Sequence, residues 1–269
     1  MYIIDINCDM GESFGNFKVG EDEKIIKFIS SANIACFFHA GDPHVMDKTV
    51  KLCKENKVSI GAHPSFYDLL GFGRNEMRLS KNEVKNIILY QIGALFAFCK
   101  ANGAELSHIK PHGALYNMAA VDFELSMAIC ETIYDFDKNL ILYCMQNSQT
   151  EKAAKETGIK IKREVFLDRE YNDDLTLISR KQKNAVISDI DYAIDRAVKM
   201  IKENKVLSVN NKEIEVFPDT ICVHGDSPHA LMMAKALKER LIEEGIKINS
   251  EVKTSISLLL TLSTLFSFI

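Results

Sequence analysis

Short apolar runs alternate with longer helical patterns along most of the chain, and this alternation narrows the folds that it can adopt. Seven runs are predicted to be strands, at residues 2–7, 32–38, 58–62, 107–111, 139–144, 163–167 and 219–224. Strands separated by helices predict βαβ units and a parallel sheet, which is either an open doubly wound sheet or a closed barrel. The chain has 269 residues, 47% of them hydrophobic, which is enough to bury a large core.

Capping residues mark the helix boundaries. Asp42 before Pro43 predicts a helix N-terminus, and residues 80–83 form a capping box for a helix that reaches about residue 100. Ser before Pro at residues 227–228 predicts the start of a last helix, which extends to about residue 244. One segment departs from the alternation, because residues 206–217 predict a β-hairpin centred on two asparagines.

Composition and motifs exclude several classes of protein. The net charge is −4 and no basic block occurs, so a nucleic-acid partner is not expected. Seven scattered cysteines without a CxxC pair argue against a disulfide framework and a structural zinc site, and indicate reduced thiols in the cytoplasm. The sequence has neither a GxGxxG after the first strand nor a P-loop, so the usual dinucleotide and P-loop sites are not expected.

The two ends of the chain carry no clear targeting signal. Asp5 and Asp9 come too early for a signal peptide, and a basic segment is missing. Residues 256–269 are apolar, but these 14 residues are shorter than the roughly 20 that a membrane span needs. We predict one domain at residues 1–250, followed by an apolar tail at residues 251–269 that packs on the protein or on a partner.

Four of the seven histidines lie where predicted strands end. They are His39, His63, His112 and His224. In a parallel α/β fold the carboxyl ends of the strands share one face, where the βα loops form the ligand site. Asp9 and Asp168 also follow strands and join that face. We therefore predict a shared pocket whose imidazoles serve as general bases, metal ligands or hydrogen-bond donors.

Other charged residues fit the same pocket. Asp9 and Glu12 can act as acid and base or hold a cation with nearby histidines. Lys110 precedes His112 by two residues, so both point to the same side of an extended strand. A lysine that faces inward is costly to bury unless it is paired or binds an anion. Arg74, in a long loop at residues 64–79, could clamp a carboxylate.

Nine segments of the sequence resemble one known family. They are DINCDMGESFG (5–15), SANIAC (31–36), FHAGDP (38–43), GAHP (61–64), GFGR (71–74), YQIGAL (90–95), KPHGALYN (110–117), DR with Tyr171 (168–171) and CVHGD (222–226). In this order they resemble the LamB/YcsF family of 5-oxoprolinase A subunits, over residues 3 to about 245. A series of this length is very specific.

That resemblance implies a distorted seven-stranded (β/α) barrel, similar to those of glycoside hydrolases and polysaccharide deacetylases. It also implies a hydrolase that opens the cyclic amide 5-oxo-L-proline (pyroglutamate) to L-glutamate, with ATP consumed by the assembled enzyme. The family works as one component of a complex with two further subunits. Neither a nucleic acid nor a membrane is expected as a partner.

The matching segments also imply the residues of the site. The catalytic candidates are Asp9, Glu12, His39, His63, Lys110, His112 and His224. The substrate-binding candidates are Asn7, Asn33, Asp42, Arg74, Asp168, Arg169 and Asp226. The candidate ligands of a divalent metal are Asp9, His39, His63 and His112. Phe37 departs from the family, which has glycine here, and its large side chain would narrow the site.

An unstrained lactam is a poor electrophile, so we expect ATP to activate its amide oxygen before water attacks. Arg74 or Lys110 would bind the substrate carboxylate, while Asp9, Glu12 or a rim histidine would activate water or protonate the leaving nitrogen. ATP would be held by a partner subunit or at an interface. Two alternatives remain open: a metal-dependent deacetylase or amidohydrolase, and a non-catalytic subunit that binds 5-oxoproline or the partner subunits.

Overall fold

Parallel strands close into a barrel in the computed structural model of this protein, which describes residues 1–180, 182–227 and 229–250. The described strands are β1 (Ile3–Met10), β2 (Ser31–Ala35), β3 (Ser59–His63), β4 (Leu106–Ile109), β5 (Ile141–Cys144), β6 (Lys160–Phe166), β7 (Lys205–Leu207), β8 (Glu213–Glu215), β9 (Thr220–Val223) and β10 (Lys247–Ile248). The seven strands predicted from the sequence are all confirmed.

Strand β1 closes the barrel. It pairs with β2 on one side and with β9 on the other, so that seven parallel strands follow the order β1-β2-β3-β4-β5-β6-β9. Strand β10 pairs with the start of β1, while β7 and β8 form the predicted antiparallel hairpin. Of the two arrangements that the alternation allowed, the closed barrel is the one present.

Helices connect the strands on the outside of the barrel. They are α1 (Asp22–Ile25), α2 (Pro43–Asn56), α3 (Lys81–Ala101), α4 (Gly113–Val121), α5 (Phe123–Asp137), α6 (Gln149–Thr157), α7 (Ile190–Glu203) and α8 (Ala230–Glu243), with a 3-10 turn at Ile26–Phe28. Two predicted caps are confirmed. The Asp42 carboxylate accepts hydrogen bonds from the first turn of α2, and Ser80 with Glu83 forms the capping box of α3.

The last helix begins later than its sequence predicts. The Ser227 carbonyl accepts a hydrogen bond from the Ala230 N–H, and the Ser227 hydroxyl accepts one from the His229 N–H. Ser227 therefore closes a turn, and α8 begins only at Ala230. The prediction that residues 227–228 start this helix is wrong for that reason. Pro228 and the apolar tail at residues 251–269 lie outside the described residues.

Helix α3 is long and apolar enough to cross a membrane, judged by length and composition. One face of it is buried, with Val84, Ile88 and Leu95 among the residues of the hydrophobic core. An apolar stripe at this spacing is how an amphipathic helix covers a barrel.

The strand pleat makes the barrel interior polar. The even-numbered residues of β1, from Ile4 to Met10, belong to the hydrophobic core under the helices. The residues at odd positions, Asp5, Asn7 and Asp9, are buried and bond to the side chains of Thr220 on the neighbouring β9 and of Lys110 just after β4. Polar side chains that are buried in this way must find partners within the barrel.

Asp5 anchors the bottom of this interior. Its carboxylate accepts hydrogen bonds from Ser30, Ser31, Tyr143, Lys162 and Thr220. Burial alone would raise the pKa of Asp5, but the Lys162 charge and the hydroxyl donors hold it below its usual value. Asp5 is thus an ionised carboxylate for which protein donors take the place of water.

His108 fills the interior above Asp5. Its Nε2 atom lies 2.9 Å from Oδ1 of Asn33, and its ring stacks on Tyr143 with 4.3 Å between centroids. Burial lowers the pKa of His108 to about 3, so the ring is neutral. Gly61 of β3 leaves room for it, because a Cβ atom at this position would lie 2.1 Å from His108 Nε2.

We expect Gly61→Ala to lower the free energy of unfolding by about 1–3 kcal/mol, the usual cost of overpacking a core. Gly93→Ala is the matched control, since a Cβ atom at this position of α3 meets nothing within 4 Å. Alanine there should raise stability by about 0.5–1 kcal/mol. Urea unfolding measures both variants. Equal effects would show that His108 does not occupy the space beside Gly61.

Candidate active site

Side chains from the carboxyl ends of the strands surround a cavity of about 700 Å³. Asp9, His63, Lys110, His112 and His224 line it, together with Phe166 at the end of β6. His39 lies behind this wall, with its ring stacked on that of His112 at 3.8 Å between centroids. The barrel therefore gathers strand-end residues that are far apart in the sequence.

Asp9 is the acidic group of the cavity. Its Oδ1 accepts hydrogen bonds from Lys110 Nζ at 2.9 Å and Asn33 Nδ2 at 2.8 Å, and its Oδ2 lies 3.3 Å from His63 Nε2. Burial would raise the pKa of Asp9, but the charges of His63 and Lys110 hold it well below its usual value. Such a carboxylate is a weak base, which suits it to orienting a water molecule.

Lys110 stands between acidic groups of three strands. Its Nζ lies 2.9 Å from Asp9 Oδ1, 3.0 Å from Glu164 Oε1 and 2.9 Å from Cys222 Sγ. Burial favours the neutral amine, but the charges of Asp9 and Glu164 raise the pKa of Lys110 well above its usual value. Since these groups engage its ammonium, the structure favours a role in holding Asp9 over direct binding of a substrate carboxylate.

His224 and Asp168 form a pair on the opposite side. His224 Nδ1 lies 2.7 and 3.0 Å from the two Asp168 oxygens, and its ring stacks on Phe166. Burial would raise the pKa of Asp168, but the attraction to His224 lowers it, so Asp168 is an acceptor and Nδ1 carries the proton. Nε2 is then the nitrogen that can exchange a proton. Asp168, predicted to bind substrate, is placed to orient His224.

A second group lies partly in the cavity wall and partly behind it, and we call it the buried quartet: Glu12, His39, His63 and His112. Their ligand atoms all lie within 4.8 Å of one another and all four residues are buried, so the group could hold a metal ion. Glu12 rather than Asp9 joins the three histidines. Asp9 belongs to a separate group of this kind, with Cys222 and His224.

Burial dominates the protonation of the quartet. It raises the pKa of Glu12 well above its usual value, and repulsion from Asp9 adds to this effect. It lowers the pKa of His39 and of His112 well below the usual range, and each is lowered further by the charge of a neighbouring histidine. The stacked rings of His39 and His112 are therefore both neutral.

Arginines form one wall of the cavity. Arg74 pairs with Asp226 at 2.5 Å and lies over the Phe72 ring, 4.9 Å from its centroid. Arg169 donates hydrogen bonds to backbone carbonyls of the segment after β6. Burial and the nearby Arg180, which also lines the cavity, lower the pKa of Arg169 to about 10. This wall suits an anionic group of a small ligand.

The long loop at residues 64–79 covers the quartet. The Asp68 carboxylate accepts hydrogen bonds from the N–H groups of Gly71 and Asn75, which fixes the turn. Gly73, at φ +67°, packs so tightly that a Cβ atom would lie 2.6 Å from His112 and 2.8 Å from His39. The loop therefore seals these two rings from above.

Five predicted substrate-binding residues lie outside the cavity lining: Asp168 and Asp226, which pair with His224 and Arg74, and Asn7, Asn33 and Asp42. Asn7 and Asn33 are fully buried, and Nδ2 of Asn33 donates to Oδ1 of Asn7 and to Oδ1 of Asp9, both at 2.8 Å. Asp42 caps α2 and also accepts a hydrogen bond from the Gly15 N–H. The two asparagines are thus placed to orient Asp9, and Asp42 to organise the rim.

Phe37 lies at the rim but does not line the cavity. Its side chain is 44% exposed and contacts the ring of Phe14 at 6.0 Å between centroids. Its φ of +79° lies in the left-handed region, which explains why glycine suits this position in the resembling family. The expectation that Phe37 narrows the site is not what the structure shows, because the side chain points to the rim.

Sequence reasoning missed three residues of this region: Glu164, His108 and Arg180. The first two had a usable signal, since Glu164 has the same strand parity as Phe166 and His108 has the same parity as Lys110. Arg180 lies in the irregular segment after β6, where spacing carries no information about direction.

Comparison with known proteins agrees with this arrangement. The sequence profile of the LamB/YcsF family matches residues 4–256. The 5-oxoprolinase A subunit of Campylobacter jejuni subsp. jejuni is 56% identical over 248 residues, which cover 92% of this chain and 97% of that protein. The protein of the same name from Pyrococcus abyssi is 52% identical over 245 residues, which cover 91% and 96%.

Solved structures agree on the barrel. The crystal structure of a lactam utilization protein from Thermus thermophilus has a TM-score of 0.88 at 41% identity, covering 93% of this chain and 100% of that one. A putative cellobiose-phosphate cleavage protein from Enterococcus faecalis has a TM-score of 0.55 at 14% identity, covering 92% and 96%. At that identity the second likeness concerns the fold alone.

Proposed function

Because the chain belongs to the LamB/YcsF family, we propose that it is the subunit of an ATP-dependent 5-oxoprolinase that opens the ring of 5-oxo-L-proline to give L-glutamate. The observation that carries this proposal is the cavity itself. It sets the oriented His224–Asp168 pair and the Asp9 carboxylate beside a wall of arginines. These are the groups needed to hold a small acid while its amide is hydrolysed.

The substrate fits the cavity in size and charge. 5-Oxoproline is a five-membered lactam with one carboxylate, and a volume of about 700 Å³ admits it with water. The carboxylate is bound by the arginine wall, with Arg74 or Arg180 as the direct contact. Phe166, Leu177 and Ile178 supply apolar surface for the ring.

Hydrolysis must break the C–N bond of the lactam, add a hydroxyl to the carbonyl carbon and give the nitrogen a proton. Activation would come from ATP, whose terminal phosphoryl group would pass to the amide oxygen and make the carbon electrophilic. Loss of the nitrogen would then leave an acyl phosphate, and a second water would release phosphate, so that one ATP and two waters give L-glutamate, ADP and phosphate. Asp9, held by Lys110 and Asn33, orients the attacking water. His224 takes a proton from the attacking water at Nε2 and then gives it to the leaving nitrogen, while Asp168 stabilises the imidazolium that forms in between and keeps the ring oriented.

ATP binding belongs, in this proposal, to the partner subunits or to their interface with this chain. The sequence has no P-loop and no GxGxxG after β1, which favours a nucleotide site outside this cavity. The names of the relatives call them subunits, which supports an assembly. We place two further subunits in it, and the whole enzyme in the cytoplasm.

The decisive experiment measures glutamate formed from 5-oxo-L-proline by the complex purified with its partner subunits, with and without ATP. We expect turnover only with ATP and all subunits. Turnover by the chain alone would contradict the subunit proposal. ATP-independent release of acetate from N-acetylated substrates, lost on chelation, would instead support a metal-dependent deacetylase. Binding of 5-oxoproline with no effect of His224→Ala on turnover would support a non-catalytic subunit.

A further inference from the structure

Large apolar side chains are exposed on the carboxyl-end side of the barrel, outside the cavity lining. They come from the segments after β1, β2 and β3 and from α3, and the reaction proposed above makes no use of them. We call this group the apolar rim: Phe17, Phe37, Tyr67, Leu69, Leu70 and Tyr90. Single exposed apolar residues are ordinary on a protein surface, but a contiguous group of them marks a site of interaction.

Contacts between neighbouring segments make the rim contiguous. The Phe38 ring stacks on Tyr90 with 5.4 Å between centroids, and it contacts the Tyr67 ring at 4.4 Å. The Asp68 N–H donates a hydrogen bond to the Phe38 carbonyl at 3.1 Å, which ties the loop after β3 to the segment after β2. The exposed side chains of these segments therefore belong to one surface.

The loop that supplies half of the rim turns its charged residue inward. Asp68 is the one charged residue in the segment 67–72, and it is buried, where its carboxylate accepts hydrogen bonds from backbone N–H groups of the same loop. Leu69 and Leu70 are left outside, and Leu70 is fully exposed. Exposed consecutive apolar residues are a defect unless they have a function. A patch of aromatic and apolar residues without charges is typical of the core of a protein interface.

Phe37 is exposed in a backbone conformation that disfavours it. Its φ of +79° lies in the left-handed region, where glycine is favoured and a bulky side chain is strained. Its ring contacts that of Phe14, whose backbone pairs with the backbone of Phe17. Phe37 does not belong to the hydrophobic core of the described residues. A strained side chain that is kept outside the core indicates a function for that side chain.

The identity of the partner rests on the function proposed above. ATP must meet a lactam that lies in the cavity, yet the sequence has no P-loop and no GxGxxG after β1. An amide activated by phosphorylation reacts readily with water, so its activation must take place at a protected site. The subunit that carries ATP must therefore lie against the mouth of the cavity. The rim adjoins that mouth, because the loop that contains Leu70 continues to Arg74 and Asn75 of the cavity lining.

We propose that the apolar rim is the surface on which the ATP-carrying subunit of the enzyme docks, through an apolar and uncharged surface of its own. The exposed leucine and aromatic side chains of the rim are the anchors that fill pockets in the partner. The relatives of this chain are named as subunits, which supports the presence of such a partner. Docking at the rim places the partner beside the loop that covers His39 and His112.

The first test measures binding of the full chain to the purified partner subunits by titration calorimetry. Leu70→Asp and Leu70→Lys should each weaken binding of the ATP-carrying subunit by about 30-fold, as the loss of an interface anchor does. Leu70 is fully exposed, so neither change disturbs the core. Ile242→Lys is the matched control and should bind like the wild type, because this exposed residue lies beside β10 at the other end of the barrel.

Binding at wild-type strength by either Leu70 variant would overturn the proposal. So would a wild-type chain that binds no partner subunit. If the chain alone formed dimers that Leu70→Asp made monomeric, the rim would belong to an interface with a second copy, and the proposal would be wrong.

Phe37→Gly separates docking from folding. Glycine suits the left-handed backbone at this position, so the melting temperature should be no lower than that of the wild type. Binding of the ATP-carrying subunit should nevertheless weaken by about tenfold, because a side chain of the interface is lost. A lower melting temperature with unchanged binding would show that Phe37 serves the fold, and would contradict the proposal.

Turnover distinguishes docking from the function proposed above. Glutamate formation with Leu70→Asp should be low at limiting partner concentration and should recover at a saturating one, since Leu70 lies outside the cavity lining. A deficit that persists at saturation would place the loop in the chemistry and contradict docking. A wild-type complex that forms, and that the Leu70 variants weaken, but that makes no glutamate would contradict the proposed function and still support the docking surface.

Discussion

Lys110→Met should lower the free energy of unfolding by about 3–5 kcal/mol, because it removes the cation of a buried network that contains Asp9 and Glu164. Lys110 is 3% exposed, and its ammonium lies within 3.0 Å of both Asp9 and Glu164. Without it, the buried carboxylates of Asp9 and Glu164 have no ammonium between them. Urea unfolding near neutral pH measures the loss.

Two controls separate charge from packing. Adding Glu164→Gln to Lys110→Met removes one of the stranded carboxylates and should recover part of the lost stability. Lys81→Met breaks an exposed pair with Glu131 and should leave stability nearly unchanged. If Lys110→Met were as stable as Lys81→Met, the Lys110 ammonium would not be the group that stabilises the buried carboxylates of Asp9 and Glu164.

His224→Ala should reduce kcat of the assembled 5-oxoprolinase by about 10²–10⁴-fold, the usual contribution of a positioned general acid. The His224 ring is held by two oxygens of Asp168 and by stacking on Phe166. Because the ring has a fixed position, the loss of kcat reports on proton transfer. His44→Ala, which changes a histidine of α2 outside the cavity lining, is the matched control and should keep wild-type turnover.

Asp168→Asn tests the orienting role. Asparagine cannot stabilise an imidazolium as a carboxylate does, so kcat should fall and its pH profile should shift toward lower pH. Combined with His224→Ala it should cause no further loss, because the two residues act as a unit. Additive losses, or a pH profile that does not move, would mean that Asp168 contacts the substrate directly instead.

The seven strands and most of the rim were predictable because strand ends in a parallel barrel share one face. The alternation of apolar and helical segments placed His63 and His224 at that face, and the two-residue spacing of Lys110 and His112 gave their common direction. Contacts between residues that are far apart in the sequence, such as the ion pair of Glu164 with Lys110, become visible only in the structure.

What could not be predicted depends on loops. The course of the chain after β1 decides which carboxylate lies near all three histidines of the quartet. Gly11 adopts φ +69° there and redirects the following residues, so that Glu12 takes this place. The covering loop places Phe72 and Gly73 against His112, and its course follows no periodicity. The late start of α8 has the same origin, since Ser227 closes a turn first.

The pairing of β1 with β9 also affects how the chain folds during its synthesis. Asp5 and Thr220 form a hydrogen bond although they lie 215 positions apart in the chain, so the first strand emerges from the ribosome long before its closing neighbour has been synthesised. Until then, Asp5, Asn7 and Asp9 lack their partners on the far side of the ring. Such long-range closure slows folding and prolongs exposure of unpaired strand edges, so production should depend on chaperone supply more than the stability of the finished barrel would indicate.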